Sequence, residues 1–170
     1  MKRIVSAILC VCCLSALSLT SCGSLLNEKS QDFVDCYNNY VKATIENSDT
    51  VVIERISETV DAKGGTLVYF TYEYTTDVGY KTSRSLYMVT SKITIDASLI
   101  TLSESRESVY GDAVAKYNGK SVDKGFVAEK IHSYSKDEDM QIISLWRSVQ
   151  TDRSYETEYD VDKINNSINK

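Results

Sequence analysis

The chain has 170 residues and a formal net charge of −5, with 24 acidic residues against 19 basic ones. That balance argues against nucleic acid as a partner and against attraction to anionic headgroups. The length suits one domain of ordinary size with a buried core.

In chain order, the first feature is a leader. Met1-Lys2-Arg3 precedes an apolar stretch over residues 4–19, and Leu19-Thr20-Ser21-Cys22 closes it. A basic start, a short apolar middle and a small-residue exit describe a secretory signal peptide. The cysteine at the exit resembles the lipobox of bacterial lipoproteins. The resemblance implies export, transfer of a diacylglyceryl group to the Cys22 sulfur, cleavage before Cys22 and acylation of the new amino terminus. It makes the membrane a partner through lipid on Cys22. Two other readings stay open. Counted from Ile4 to Thr20, 17 residues, the stretch reaches the lower limit for spanning a bilayer, roughly 17–25 residues, and ordinary secretion would need no lipid. Small and polar members (Ser6, Ala7, Ser15, Ala16, Ser18) and the lack of a charged stop count against a span. Gly23 stands where an aspartate often marks inner-membrane retention. The resemblance thus implies an outer membrane, facing the periplasm, if the host has one.

Cleavage would leave residues 22–170, and losing Lys2 and Arg3 would lower the net charge from −5 to −7. Cys10, Cys12 and Cys13 would leave with the leader and Cys22 would carry lipid. Only Cys36 would remain, so no intramolecular disulfide is expected. Residues 22–29 read as a short lipidated tether and residues 30–170 as one domain.

Ser30 reads as an N-cap, with Asp32 in the first turn. Phe33, Tyr37, Tyr40, Val41, Thr44 and Ile45 then share a helical face, and the helix should end near Asn47. Cys36 flanks that face and reads as a buried, inert thiol rather than a nucleophile. Val51, Val52, Ile53 and Ile56 begin a strand that turns at Asp61-Ala62-Lys63-Gly64-Gly65. Residues 66–76 alternate clearly, with Val68, Phe70, Tyr72 and Tyr74 as the core face. A third strand is expected over 84–90 and a fourth over 92–101, broken near Ala97-Ser98. Short turns between successive strands point to an antiparallel meander.

The second half is more helical. Val109, Ala113, Val114 and Tyr117 have helical spacing, with Gly119 as a stop. Ser135-Lys136-Asp137-Glu138 has the form of a capping box, and Ile142, Leu145, Trp146 and Val149 follow at helical spacing. Tyr155, Thr157, Tyr159 and Val161 alternate like a last strand, and Ile164 and Ile168 suggest a short terminal helix or a tail. Residues 119–134 suit either state. The expected class is α+β, an N-terminal helix packed on an antiparallel meander with further helices late in the chain. On element order alone, residues 31–103 resemble small lipoprotein domains of unknown function.

The candidate chemistry is sparse. His132, the only histidine, has neither a Gly-x-Ser-x-Gly elbow nor ligand spacing to Cys36, and reads as a surface residue. Asp137-Glu138-Asp139 lacks the ordered spacing of a calcium loop and suits a helix start, and Asp160 and Asp162 invite the same reading. Glu73, on the tyrosine-rich strand, is the acid best set for glycoside cleavage, although strand acids usually face water. Gly64-Gly65 precedes a strand, not the helix of a phosphate-binding loop. No catalytic residue, metal site or cofactor is assigned. Tyrosine suits contact surfaces as well as half-buried strands. Tyr69, on the face opposite Tyr72 and Tyr74, is a candidate recognition residue together with Tyr80 and Tyr87. The expected function is a lipid-anchored, non-catalytic module binding an envelope protein, peptide or glycan. The alternative is a small envelope hydrolase.

Overall fold

The computed structural model describes residues 25–99, 107–131, 136–150, 154–155 and 159–170. The expected leader with Cys22, and His132, lie outside them. The helices are α1 (Glu28–Cys36), α2 (Glu107–Tyr117), α3 (Glu138–Val149) and α4 (Val161–Ile168). The long strands are β1 (Val52–Val60), β2 (Thr66–Thr75) and β3 (Lys81–Ser91). Four two-residue strands complete the set: β4 (Ile93–Thr94), β5 (Ser121–Val122), β6 (Val127–Ala128) and β7 (Ser154–Tyr155). An antiparallel sheet of order β6-β3-β2-β1-β7 forms the middle layer, and β4 pairs with β5 as a separate ribbon. The chain is α+β, with its N-terminal helix on a meander and more helices later.

Asn27, not Ser30, caps α1: its side chain accepts the Ser30 N–H at 2.8 Å. Ser30 is instead a buried residue of the first turn, whose Oγ accepts the Asp160 N–H at 3.2 Å. After Cys36 the helix widens into a π turn (Tyr37–Val41) and tightens into a 3-10 turn (Lys42–Thr44). The wide turn keeps Phe33, Tyr37 and Val41, four residues apart, on the buried side. It also turns Tyr40 outward, 46% exposed, contrary to its expected place on the apolar face. The Tyr40 ring lies against Gly125, whose positive φ and lack of a Cβ allow that approach.

The alternation of β2 sorts the sheet into two faces. Val68, Phe70, Tyr72 and Tyr74 are buried with Leu86 and Met88 of β3 against α1 and α4. Leu67 and Val89 face the other way, into a second core with Ile93, Ile143 and Trp146. Of the fourth strand expected over 92–101, residues 100 and 101 lie outside the described residues, and 92–99 do not continue the meander. Ile93 and Ile95 both turn into the second core, and β4 leaves the main sheet to pair with β5. Beyond it, Asp96 accepts the Ser98 N–H at 3.1 Å and begins a 3-10 turn (Ala97–Leu99).

Helix α3 is capped by Asp137, which accepts from the N–H groups of Asp139 and Met140, so the acidic cluster is a helix start; Ser135 lies outside the described residues. Of the expected last strand, Tyr155 lies in β7, Thr157 lies outside the described residues and Val161 is helical. Val161 opens α4, capped by the Asp160 carboxylate, because Ile164 and Ile168 gain full burial in the first core by helical spacing. Asn165 fastens α4 to β1 by bonding both the N–H and the carbonyl of Ile53, at 2.7 and 3.0 Å.

Tyr37 sits wholly inside the first core, and its hydroxyl has no hydrogen-bond partner among the described residues. Burial, aided by the neighbouring Tyr72, raises its pKa well above the ordinary value near 10. An orphaned buried hydroxyl costs stability, so Tyr37→Phe is expected to add about 1 kcal/mol at pH 7. A raised folded pKa means stability is intact below pH 10 and falls as pH rises beyond it, because the unfolded chain ionises first. The advantage of Tyr37→Phe should therefore widen above pH 10. Urea unfolding midpoints at pH 7 and pH 10.5 check both points.

Candidate binding cleft

On the α1 side of the sheet, the strands outrun the helix. Where the chain leaves its last helical turn at residues 44–46, β2 and β3 continue, and between them and β6 opens a cleft of about 270 Å³. Tyr72 and Tyr74 of β2 and Leu86 of β3 form its floor, while Glu46, Arg84 and Glu129 stand around it. Tyr72 pairs with Arg84 across the β2–β3 ladder, so both project to the same face.

Arg84 is the charged member of an otherwise apolar series with Leu86 and Met88. Its guanidinium carbon lies 5.5 Å from the Tyr74 ring centroid, a cation–π distance. Its Nη1 stands 3.8 Å from Glu129 Oε1, with both side chains more than half exposed. Burial holds the Tyr72 phenol above the usual tyrosine range, and the Arg84 charge opposes the shift. Glu46 accepts the Asp77 backbone N–H, which ties the loop after the helix to the β2–β3 turn. Among the described lining residues, no hydroxyl or thiol is hydrogen-bonded to a carboxylate or imidazole; the Thr44 Oγ1 donates to the Val41 carbonyl. Tyr72 and Tyr74 are only 2% and 3% exposed, so the cleft offers a ligand chiefly the charged rim of Glu46, Arg84 and Glu129. Among the described lining residues no nucleophile is paired with a base.

The expected recognition tyrosines divide. Tyr69 and Tyr87 face each other on the opposite sheet face, ring centroids 4.8 Å apart and tilted by 44°. Arg147 of α3 covers Tyr87, donating to its hydroxyl with its guanidinium carbon 5.2 Å from the ring. Both rings are half-buried. Tyr80 is 74% exposed at the β2–β3 turn, roughly 23 Å along the strand from Tyr87. The structure thus joins two of the three and leaves Tyr80 apart. Glu73 pairs with Lys81 at 2.6 Å on the outer face. Cys36 is buried, with its thiol pushed up to about 11 chiefly by desolvation, against the pull of Lys124. No group of three or more His, Cys, Asp or Glu residues among those described is arranged to hold a metal ion.

A buried carboxylate stands elsewhere. Glu58 points from β1 into the first core, with its side chain 0% exposed, and pairs with Lys29 of α1, itself 51% exposed. Its other oxygen accepts the Tyr159 hydroxyl at 2.6 Å. Burial, then this bond, raises the Tyr159 pKa. The group pins the start of α1 and the approach to α4 onto the sheet. Glu58→Leu is expected to cost about 1–3 kcal/mol, mainly through the stranded Tyr159 hydroxyl, since half-exposed Lys29 can turn to water. Adding Tyr159→Phe should recover much of that loss in urea unfolding. Simple additivity of the two changes would refute the pin.

No family model matches the chain, and neither the curated proteins nor the solved structures yielded a match. Alternation put Tyr72 and Tyr74 in the core without revealing that α1 stops short of them. The one signal for the cleft was Arg84, charged yet in phase with Leu86 and Met88.

Proposed function

We propose that this chain is a lipid-anchored cell-envelope protein whose α+β domain is a non-catalytic binding module, its ligand held in the cleft over Tyr72 and Tyr74. The anchor rests on the leader and the lipobox-like Leu19-Thr20-Ser21-Cys22. Among the described residues, no helix is long and apolar enough to cross a membrane. The binding reading rests on the cleft itself: an aromatic floor with an arginine and two glutamates around it suits recognition better than hydrolysis.

The placement of the cleft is consistent with this role. Leu26 packs against the first core while Leu25 is 91% exposed. The free span from Cys22 to Leu26 is thus roughly 13–14 Å, and the start of α1 would sit close to the bilayer. The cleft lies past the opposite end of that helix, toward a partner in the envelope. The periplasmic face of an outer membrane is the proposed location in a diderm host. Intact mass spectrometry of native material tests the reading. The expected product begins at Cys22 and carries fatty-acid mass; one beginning at Met1, or lacking that mass, would overturn it.

A further inference from the structure

We infer that Tyr69 and Tyr87 form an oxidative cross-linking site, at which a peroxide-class oxidant joins β2 to β3 through a dityrosine bond. This goes beyond the binding reading and does not depend on it. The two residues stand directly opposite each other in the β2–β3 ladder. Their ring centroids are 4.8 Å apart, near the lower limit of the roughly 4.5–7 Å at which aromatic pairs rest. Among the described residues, the other tyrosine pair in ring contact is Tyr72 with Tyr74, 5.8 Å apart and buried in the first core. Tilted by 44°, the Tyr69 and Tyr87 rings are not stacked flat. A flip about the two-fold ring torsion presents either ortho carbon to the partner. Arg147 donates to the Tyr87 hydroxyl and lies over its ring, which holds Tyr87 in place beside Tyr69. The Tyr87 oxygen accepts in that bond, so its own proton is not committed to it.

The softer targets for an oxidant are shielded. Oxidation of sulfur follows exposure, and Cys36, Met88 and Met140 are buried, as is Trp146. Tyr69 and Tyr87 are only partly covered. In the coupling, each phenol gives up one electron and its hydroxyl proton to become a phenoxyl radical. Two ortho carbons then bond, and the hydrogen on each moves to its own oxygen, which restores both phenols. Two electrons and two protons leave in all, and one hydrogen peroxide takes them up to become two waters. The new bond closes a loop over residues 69–87. A link across such a loop restrains the unfolded chain as a disulfide does. Cys36 is the free cysteine among the described residues, so the tyrosine pair supplies a covalent staple that this thiol alone does not.

The test treats the full chain, dilute and in detergent, with a haem peroxidase and one equivalent of hydrogen peroxide. The expected product is a monomer lighter by two hydrogens and bearing the blue fluorescence of dityrosine. Its digestion should yield the peptides of Tyr69 and Tyr87 joined to each other, and its urea midpoint should exceed that of untreated protein. Tyr69→Phe should lower the yield of linked monomer at least tenfold and remove the rise in midpoint. Phenylalanine keeps the ring and its packing, so that variant should fold. Tyr80 stands apart at the β2–β3 turn and is exposed, so Tyr80→Phe should reduce links between chains and leave the linked monomer unchanged. Linked monomer that persists in Tyr69→Phe, or that joins Tyr72 to Tyr74 instead, overturns the proposal. Monomer of unaltered mass overturns it too, as do chains linked only to one another. None of these outcomes bears on the lipid anchor or on the cleft.

Discussion

Trp146→Ala is expected to remove about 3–5 kcal/mol of folding stability, the usual range for emptying a large aromatic site. Trp146 is 1% exposed and lies in the second core with Val89, Ile93 and Ile143. There it joins α3 to the sheet face opposite α1. Typical domains have only about 5–15 kcal/mol in reserve, so the loss is a large share. The indole Nε1 has no hydrogen-bond partner among the described residues. Trp146→Phe therefore gives up packing volume but no bond, and should cost less than half as much. This is the only tryptophan, so unfolding is best followed by far-ultraviolet circular dichroism. Equal losses for the two variants would mean that something other than volume fixes α3.

Cys22→Ala is expected to abolish lipidation and arrest the chain as a precursor that begins at Met1. Two acyl chains of about 15 methylenes each, at about 0.8 kcal/mol per buried methylene, give on the order of 20 kcal/mol of membrane attachment. No surface contact of an acidic domain approaches that figure. The sharper version replaces residues 1–22 with a leader that is cleaved without lipidation. The domain should then appear in the soluble envelope fraction, while the native chain stays with membranes through a salt wash. Persistent sedimentation of the unlipidated domain would show that the tether lies elsewhere.

Much of the fold was legible because its strongest signals are local. The alternation of Val68, Phe70, Tyr72 and Tyr74 placed a strand and its buried face correctly. The spacing of Ile142, Leu145 and Trp146 did the same for α3. Failures cluster where a residue's partner is distant. Ile93 and Ile95 alternate as any meander strand would, but β4 pairs with Ser121 and Val122. Val161 continued an alternating run, yet α4 formed because Ile164 and Ile168 fit the first core. Ser30 has the chemistry of a cap, but its hydroxyl meets the backbone of distant Asp160, and Asn27 caps the helix.

By itself the sequence determined the antiparallel strand character of the first half, the helical character of much of the second and the acidic balance. Each is written in neighbouring residues, through periodicity or composition. Only the tertiary structure decided that the cleft at residues 44–46 opens beside Tyr72 and Tyr74, and that β6 pairs with β3 over two residues. A cleft is a place where one element runs out before its neighbour. That depends on the relative lengths and docking of segments far apart in the chain, which local periodicity does not carry.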